Sequence, residues 1–315
     1  MFTERDPIPA RGEKELAARA AGFPFVTRLT IVHETRYDYE RAVGFGPQRL
    51  LLRPRDSHAL RVVEANLTLS PPGQTRWVYD AIGNCLCWFA PRGEARQLSV
   101  TSRLVIERYP APLAPFRPDD PHTSTPIVYS GADRTVLNPF IEPATEDEAG
   151  VMVAWLHAHM GSPDESAVDF LLRLTRAIHA DFAYQAREAQ GVQAPHDTLR
   201  LQSGSCRDFA WLMVEALRRL GYAARFVTGY LHDPNQTARG AGATHAWCEV
   251  FLPDLGWMEF DPTNGIAESA DLIPVAASRT PAEAAPVSGS VIGDPGRCQM
   301  TVHVEVTPAG VQAAA

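Results

Sequence analysis

The chain has 315 residues, 45% of them hydrophobic and 21% charged, with a formal net charge of −8. That composition is ordinary for a globular protein, and its length suggests about two domains. The negative balance argues against a broadly basic surface for nucleic acid or anionic membranes, and no run of about 18 apolar residues marks a membrane-spanning helix.

Residues 1–24 are charged along their length and lack the apolar centre of a signal peptide, so a polar extension is expected there. It reads either as a short helix over Glu13–Ala21 or as irregular chain. The expected compartment is the cytoplasm. Five cysteines without framework spacing agree with reducing conditions.

From Phe25 the pattern alternates. RLTIVHETRYDYE (28–40) predicts a strand, and further strands are expected over Arg49–Arg53, Arg61–Ser70, Thr75–Tyr79, Cys85–Phe89 and Gln97–Tyr109. Pro71-Pro72-Gly73 and Ile82-Gly83-Asn84 punctuate them. Short strands at close spacing predict a β-sandwich-like domain over 25–110. Residues 111–147, rich in Pro, Asp, Ser and Thr, read as a connection.

Helices are predicted over Ala149–His159 and Ser166–Phe182, the latter with Val168, Leu171, Leu172, Thr175 and Ile178 on one side. A third begins at Ser205, an N-cap residue with Asp208 placed to complete a capping box. Its apolar stripe is Phe209, Leu212, Met213, Ala216, Leu217 and Leu220, and Gly221 stops it. Strands follow over Ala223–Leu231, Thr244–Leu252 and Gly256–Asp261, the last two joined by a turn at 253–256. An Ala/Pro stretch, Val275–Pro286, leads to a final strand over Gln299–Val306. The expected division is a core over 148–275 and a C-terminal segment over 276–315.

Chemistry concentrates at three places. Cys206 falls in the first turn of the Ser205 helix, where unpaired N–H groups and the helix dipole favour an anion. Asp208 in the same turn opposes that, and a lone helical Cys also fits a small core residue. His245 opens one strand of a hairpin and Asp261 ends the other, so the two stand at the open end where side chains meet. Period-two alternation puts His245, Trp247 and Glu249 on one face, and Trp257, Glu259 and Asp261 on one face of the partner. A Cys–His–Asp relay needs this layout. It also occurs, in this chain order, in papain-like folds. Taken singly, His245 also fits a hydrogen-bonded strand residue, and Asp261 a turn residue before Pro262. A zinc site is disfavoured, because His245 and Cys248 point to opposite faces and no C-x-x-C pair exists.

The motifs GSCRDFA (204–210), GYAARFVTGY (221–230), THAWCEV (244–250) and WMEFDPT (257–263) resemble the transglutaminase-like superfamily core. LTIVHETRYDY (29–39), RLLLRP (49–54) and DAIGN (80–84) resemble the bacterial transglutaminase-like N-terminal domain. The resemblance implies an α+β protein: an all-β module, then a papain-like core with the nucleophile at a helix N-terminus packed on an antiparallel sheet.

It further implies Cys206 as nucleophile, His245 as base and Asp261 as the residue that orients it, acting through a thioester on peptide or amide bonds. The Cys206 N–H would hold the oxyanion together with a side-chain donor, Tyr184 or Gln202. Trp247 and Trp257 are candidates to line the cleft, or to pack beneath it. The loop 232–243 reads as a lid or a plain connection. Hydrolysis is the default outcome because water is always available, with transfer to an amine as the alternative and a non-catalytic binding module as a third reading. No cofactor or metal is expected. The expected partner is a peptide or protein substrate, with no nucleic acid and no membrane.

Overall fold

The computed structural model describes residues 26–109, 127–147, 150–162, 165–187, 191–234, 238–240, 242–253 and 255–309. The expected polar extension, its helix, and the first part of the expected connection lie outside them.

The N-terminal sheet is organised by one 24-residue strand, β1 (Thr27–Leu50). The remaining strands of this region are β2 (Leu60–Ser70), β3 (Gly73–Tyr79), β4 (Cys85–Pro91) and β5 (Ala95–Arg108). The first half of β1 pairs antiparallel with β5, and its last residues pair with β4. Two strands expected separately, 28–40 and 49–53, are therefore one. Gly44, Gly46 and Pro47 weaken the strand pattern between them, and the β1/β5 register shifts between Asp38 and Val43, which bends the strand. Bending folds the sheet on itself. Phe45 and Leu50 of β1, Phe89 of β4, and Leu98 and Val100 of β5 share one apolar cluster, the sandwich-like interior expected from the sequence.

The helical part begins inside the expected connection, with α1 (Gly131–Ile141). Ser130 starts it by accepting a hydrogen bond from the Asp133 N–H at 3.1 Å, a cap that the Pro-rich surroundings hide. Then come α2 (Val151–His159), α3 (Ala167–Asp181), the short pair β6 (Ala183–Tyr184) and β7 (Ser203–Gly204), α4 (Pro195–Leu201) between them, and α5 (Cys206–Arg219). On α3 the fully buried apolar face includes Phe170 and Leu174, whereas Val168 and Leu172 are half-buried. The buried stripe is thus turned slightly from the predicted one.

β8 (Ala224–Leu231), β9 (His245–Leu252), β10 (Gly256–Asp261), β11 (Ile266–Ala267) and β12 (Leu272–Ser278) form a second antiparallel sheet, ordered β11-β10-β9-β8-β12. Alternate residues Cys248 and Val250 of β9 and Phe226 of β8 face α5, joining Phe209, Leu212, Met213 and Ala216 in the largest core. Gly229 of β8 lets β12 pair closely: a Cβ there would lie 2.1 Å from the Ile273 carbonyl oxygen. β12 crosses the expected core boundary at 275.

The C-terminal segment is not a separate unit. β13 (Val287–Ile292) pairs with the second half of β1, and β14 (Cys298–Pro308) pairs with its first half from Leu29 to Tyr39. The chain thus returns to the sheet where it began. The two sheets are joined by an apolar cluster of Leu29, Ile31, Ile106, Tyr230 and Ile273. Asn84 adds a two-way link, its Nδ2 donating to the Ala277 carbonyl at 2.7 Å and its Oδ1 accepting from the Ala277 N–H at 2.9 Å.

Candidate active site

Helix α5 starts where Ser205 and Asp208 close a capping box. The Ser205 N–H and hydroxyl both donate to Asp208 Oδ2 at 2.8 Å. Cys206 is therefore the first helical residue, and its N–H has no partner within the helix. Its side chain is 6% exposed, with Sγ 4.0 Å from the Thr244 carbonyl oxygen. The next residue in the chain after Thr244 is His245, so the start of β9 lies against the start of α5.

His245 is 1% exposed and Asp261 fully buried. The β9/β10 register pairs Phe260 with Cys248, which carries Asp261 past Trp247 toward His245. His245 Nε2 donates to Asp261 Oδ2 at 2.8 Å. Asp261 is itself clamped: Oδ1 accepts from the Thr263 N–H at 2.9 Å, and Oδ2 accepts from Asn264 Nδ2 at 2.8 Å. The turn DPTN that follows β10 supplies both donors, the local pattern in which Asp binds its own backbone two residues on.

Burial opposes a charge on His245. The carboxylate of Asp261, its hydrogen bond and the adjacent Cys206 sulfur outweigh burial and push the imidazole up to about 10. Burial likewise opposes the Asp261 charge, and His245 with the clamping donors overcomes it, holding the carboxyl below its usual range. The pair is an imidazolium–carboxylate whose remaining nitrogen, Nδ1, is left for the Cys206 sulfur, whose hydrogen bond is among the causes that raise the imidazole.

Tyr184 reaches the same place. β6 and β7 run parallel with Tyr184 beside Gly204, and the Gln185 N–H donates to the Gly204 carbonyl at 2.8 Å. This two-strand ladder fixes Tyr184 next to the helix start; no periodicity in so short a segment announces it. A Cβ added to Gly240 would lie 3.1 Å from His245 Nδ1 and 3.4 Å from Tyr184 Oη, so both groups face one point. Burial, then the Cys206 sulfur, pushes the Tyr184 phenol up to about 12, with Arg207 opposing, so it is a neutral donor. Gln202 occupies the left-handed end of α4 at φ 48°, with an exposed side chain.

Of the two alternatives for the tryptophans, lining the cleft or packing beneath it, Trp247 takes the second. Trp247 is fully buried beneath His245, its ring stacked on the imidazole at 6.1 Å between centroids, within a cluster of Val227, Leu231 and Leu272. Trp257 sits at the turn end of the hairpin, under the Arg225 guanidinium at 4.0 Å, because β10 runs its length between it and Asp261. Neither lines the cavity of about 770 Å³ that opens beside His245; Trp211, Tyr37 and Tyr39 do.

Of the loop 232–243, Gly240 lies against Nδ1 of the imidazole. The neighbouring Arg239 tethers the loop there, its N–H donating to Asn264 Oδ1 at 2.9 Å and its guanidinium to the His179 carbonyl at 3.1 Å. The Val304 N–H of β14 binds the Gly242 carbonyl at 3.2 Å. Asn264 thus touches both Asp261 and this loop, a role no sequence pattern singled out. Among the described residues no cluster of three or more His, Cys, Asp or Glu is arranged to hold a metal.

Residues 156–262 match the family model of the transglutaminase-like superfamily, and residues 29–107 that of the bacterial transglutaminase-like N-terminal region. An uncharacterized protein of Mycobacterium tuberculosis is 28% identical over 297 residues, covering 89% of this chain and 93% of that one. A protein-glutamine gamma-glutamyltransferase of Pseudomonas aeruginosa is 35% identical over 101 residues, 30% of this chain and 15% of its own. A Cytophaga hutchinsonii structure, named provisionally as a cysteine protease, superposes with a TM-score of 0.68 at 19% identity, covering 92% of this chain and 93% of that one. That likeness extends to the fold of both sheets.

Proposed function

With a transglutaminase-like core over residues 156–262 and a bacterial transglutaminase-like N-terminal region over residues 29–107 as the premise, we propose that this protein is a cysteine acyl-transfer enzyme that hydrolyses peptide or amide bonds. One observation carries the reading. A histidine locked to a buried carboxylate turns its other nitrogen toward a cysteine at a helix N-terminus.

In this reading Cys206 and His245 act as thiolate and imidazolium, the thiol proton having passed to Nδ1. The thiolate attacks the carbonyl carbon, and the oxyanion is held by the Cys206 N–H and Tyr184 Oη. His245 returns its proton to the departing amine, which leaves a thioester on Cys206. Water, deprotonated by His245, attacks the thioester carbonyl and releases the acid and the thiol. Asp261 keeps Nε2 protonated throughout and stabilises the imidazolium. A non-catalytic binding module would have no need of this buried, costly charge pair.

A second reading replaces water by an amine. The local match to the P. aeruginosa protein-glutamine gamma-glutamyltransferase favours it. Glutamine-containing peptides, incubated with and without cadaverine, separate the two by product mass. Free acid alone supports hydrolysis, and a cadaverine adduct supports transfer. Full turnover by Cys206→Ala would overturn both.

A further inference from the structure

β1 and β14 lie antiparallel, with Tyr37 opposite Met300 and Tyr39 opposite Cys298. Residues two apart share a face, so His33, Thr35, Tyr37 and Tyr39 form one row and their partners on β14 another. Both rows turn toward the helical core and form one wall of the 770 Å³ cavity. The opposite wall comes from the core: Trp211, Phe226 and Thr228, with Thr244 and His245. A volume of this order suits a ligand group of several heavy atoms.

Among the described residues lining the cavity there is no Asp, Glu or Lys, and Arg207 is the charged side chain away from the triad. His33 adds no charge at neutral pH, because burial holds it down to about 4, and its ring nitrogens are engaged by Tyr230 Oη at 3.1 Å and Thr35 Oγ1 at 3.0 Å. The walls otherwise combine aromatic and aliphatic surface, including the stacked rings of Tyr37 and Tyr39, with uncharged polar side chains such as Gln48, Thr280, Ser288 and Ser290. An ammonium entering here would lose its water and find no carboxylate among the described lining residues. An uncharged side chain would lose only its apolar contact with water.

We propose that this cavity is the acyl-donor specificity pocket, in which the β1/β14 face of the N-terminal sheet receives an uncharged aromatic or aliphatic side chain of the substrate and rejects a cationic one. The inference rests on the acyl-transfer reading of Cys206 and gives the N-terminal sheet a part in it.

Two N-acetyl-alanyl acyloxymethyl ketones, one built on norleucine and one on lysine, test it. They differ by the ammonium alone in charge, and each alkylates the reacting sulfur with loss of its carboxylate. Labelling of Cys206 is followed by peptide mass, and each rate is divided by the iodoacetamide rate of the same sample. In the wild type the norleucine probe should react at least about tenfold faster than the lysine probe. Met300 is 40% exposed at the rim, so Met300→Glu sets a hydrated carboxylate on the β14 wall; it should cut the ratio to about threefold or less. Equal wild-type rates, or an unchanged ratio in Met300→Glu, would overturn the pocket while fast iodoacetamide labelling left the nucleophile standing. Slow labelling of Cys206 by all three reagents would overturn both.

Discussion

Replacing Asp261 by Asn keeps the side chain's shape and removes its charge. The Thr263 N–H, a backbone donor that cannot turn away, holds an oxygen at the Oδ1 position at 2.9 Å. The new amide nitrogen must therefore stand at Oδ2, facing two groups that now donate to it, His245 Nε2 and Asn264 Nδ2, each at 2.8 Å. Asn264 cannot reverse its amide without losing the Arg239 N–H at 2.9 Å. His245 must then accept at Nε2 and carry its proton on Nδ1, the wrong tautomer for taking a proton from Cys206. Opposite unit charges 2.8 Å apart attract by about 6 kcal/mol at an effective dielectric of about 20, part of which burial removes. Breaking such a buried pair should destabilise the fold by about 3–5 kcal/mol, and the wrong tautomer should lower turnover by about three to four orders of magnitude. The pH profile isolates the cause. His245 keeps its proton to about pH 10 in the folded protein and releases it near 6.5 when unfolded. The stability from that proton is whole below about pH 6.5 and is lost as pH rises toward about 10. Urea unfolding midpoints between pH 6 and 10 should fall in the wild type, and fall less in Asp261→Asn. Equal slopes in the two proteins would refute the reasoning.

Asn264→Ala removes one donor to Asp261 and the acceptor for Arg239, and should cost about 1–3 kcal/mol by urea unfolding. It should also speed amide hydrogen exchange at 239–240 more than elsewhere; uniform exchange would deny the link. Gly240→Val sets bulk against His245 and Tyr184 at a φ of +86°, and should slow iodoacetamide labelling of Cys206 with the far-UV circular dichroism unchanged. Tyr184→Phe deletes the proposed oxyanion donor; kcat should fall about 100-fold with little change in KM, and an unchanged kcat would remove Tyr184 from that role. Asn84→Ala leaves the Ala277 backbone unpaired between the sheets and should cost about 2–3 kcal/mol, read as a lower urea midpoint.

The elements around the site were legible because each carries a local signal: the Ser205 cap, the stripe of α5, the alternation of β9 and β10. His245 and Asp261 could be matched across the hairpin for the same reason. What escaped depends on distant partners. The return of β13 and β14 to β1 is long-range pairing that no local window contains. β6 and β7 are two residues each, too short for periodicity, yet they place Tyr184. The position of Gln202 follows from a left-handed turn and those of the tryptophans from hairpin register, which residue type and alternation do not fix. Asn264 follows Asp-Pro-Thr, and its side chain is informative only once the loop at Arg239 is known to lie above it.

The central claim concerns one thiol among five. Cys85, Cys87 and Cys248 are buried, and burial pushes each of them up; Cys298 is exposed. Iodoacetamide labelling at pH 7, resolved by peptide mass, compares them within one sample. The account predicts that Cys206, although 6% exposed, reacts faster than the open Cys298, and that His245→Ala abolishes the difference. Cys298 reacting first, or a Cys206 rate indifferent to His245→Ala, would contradict it.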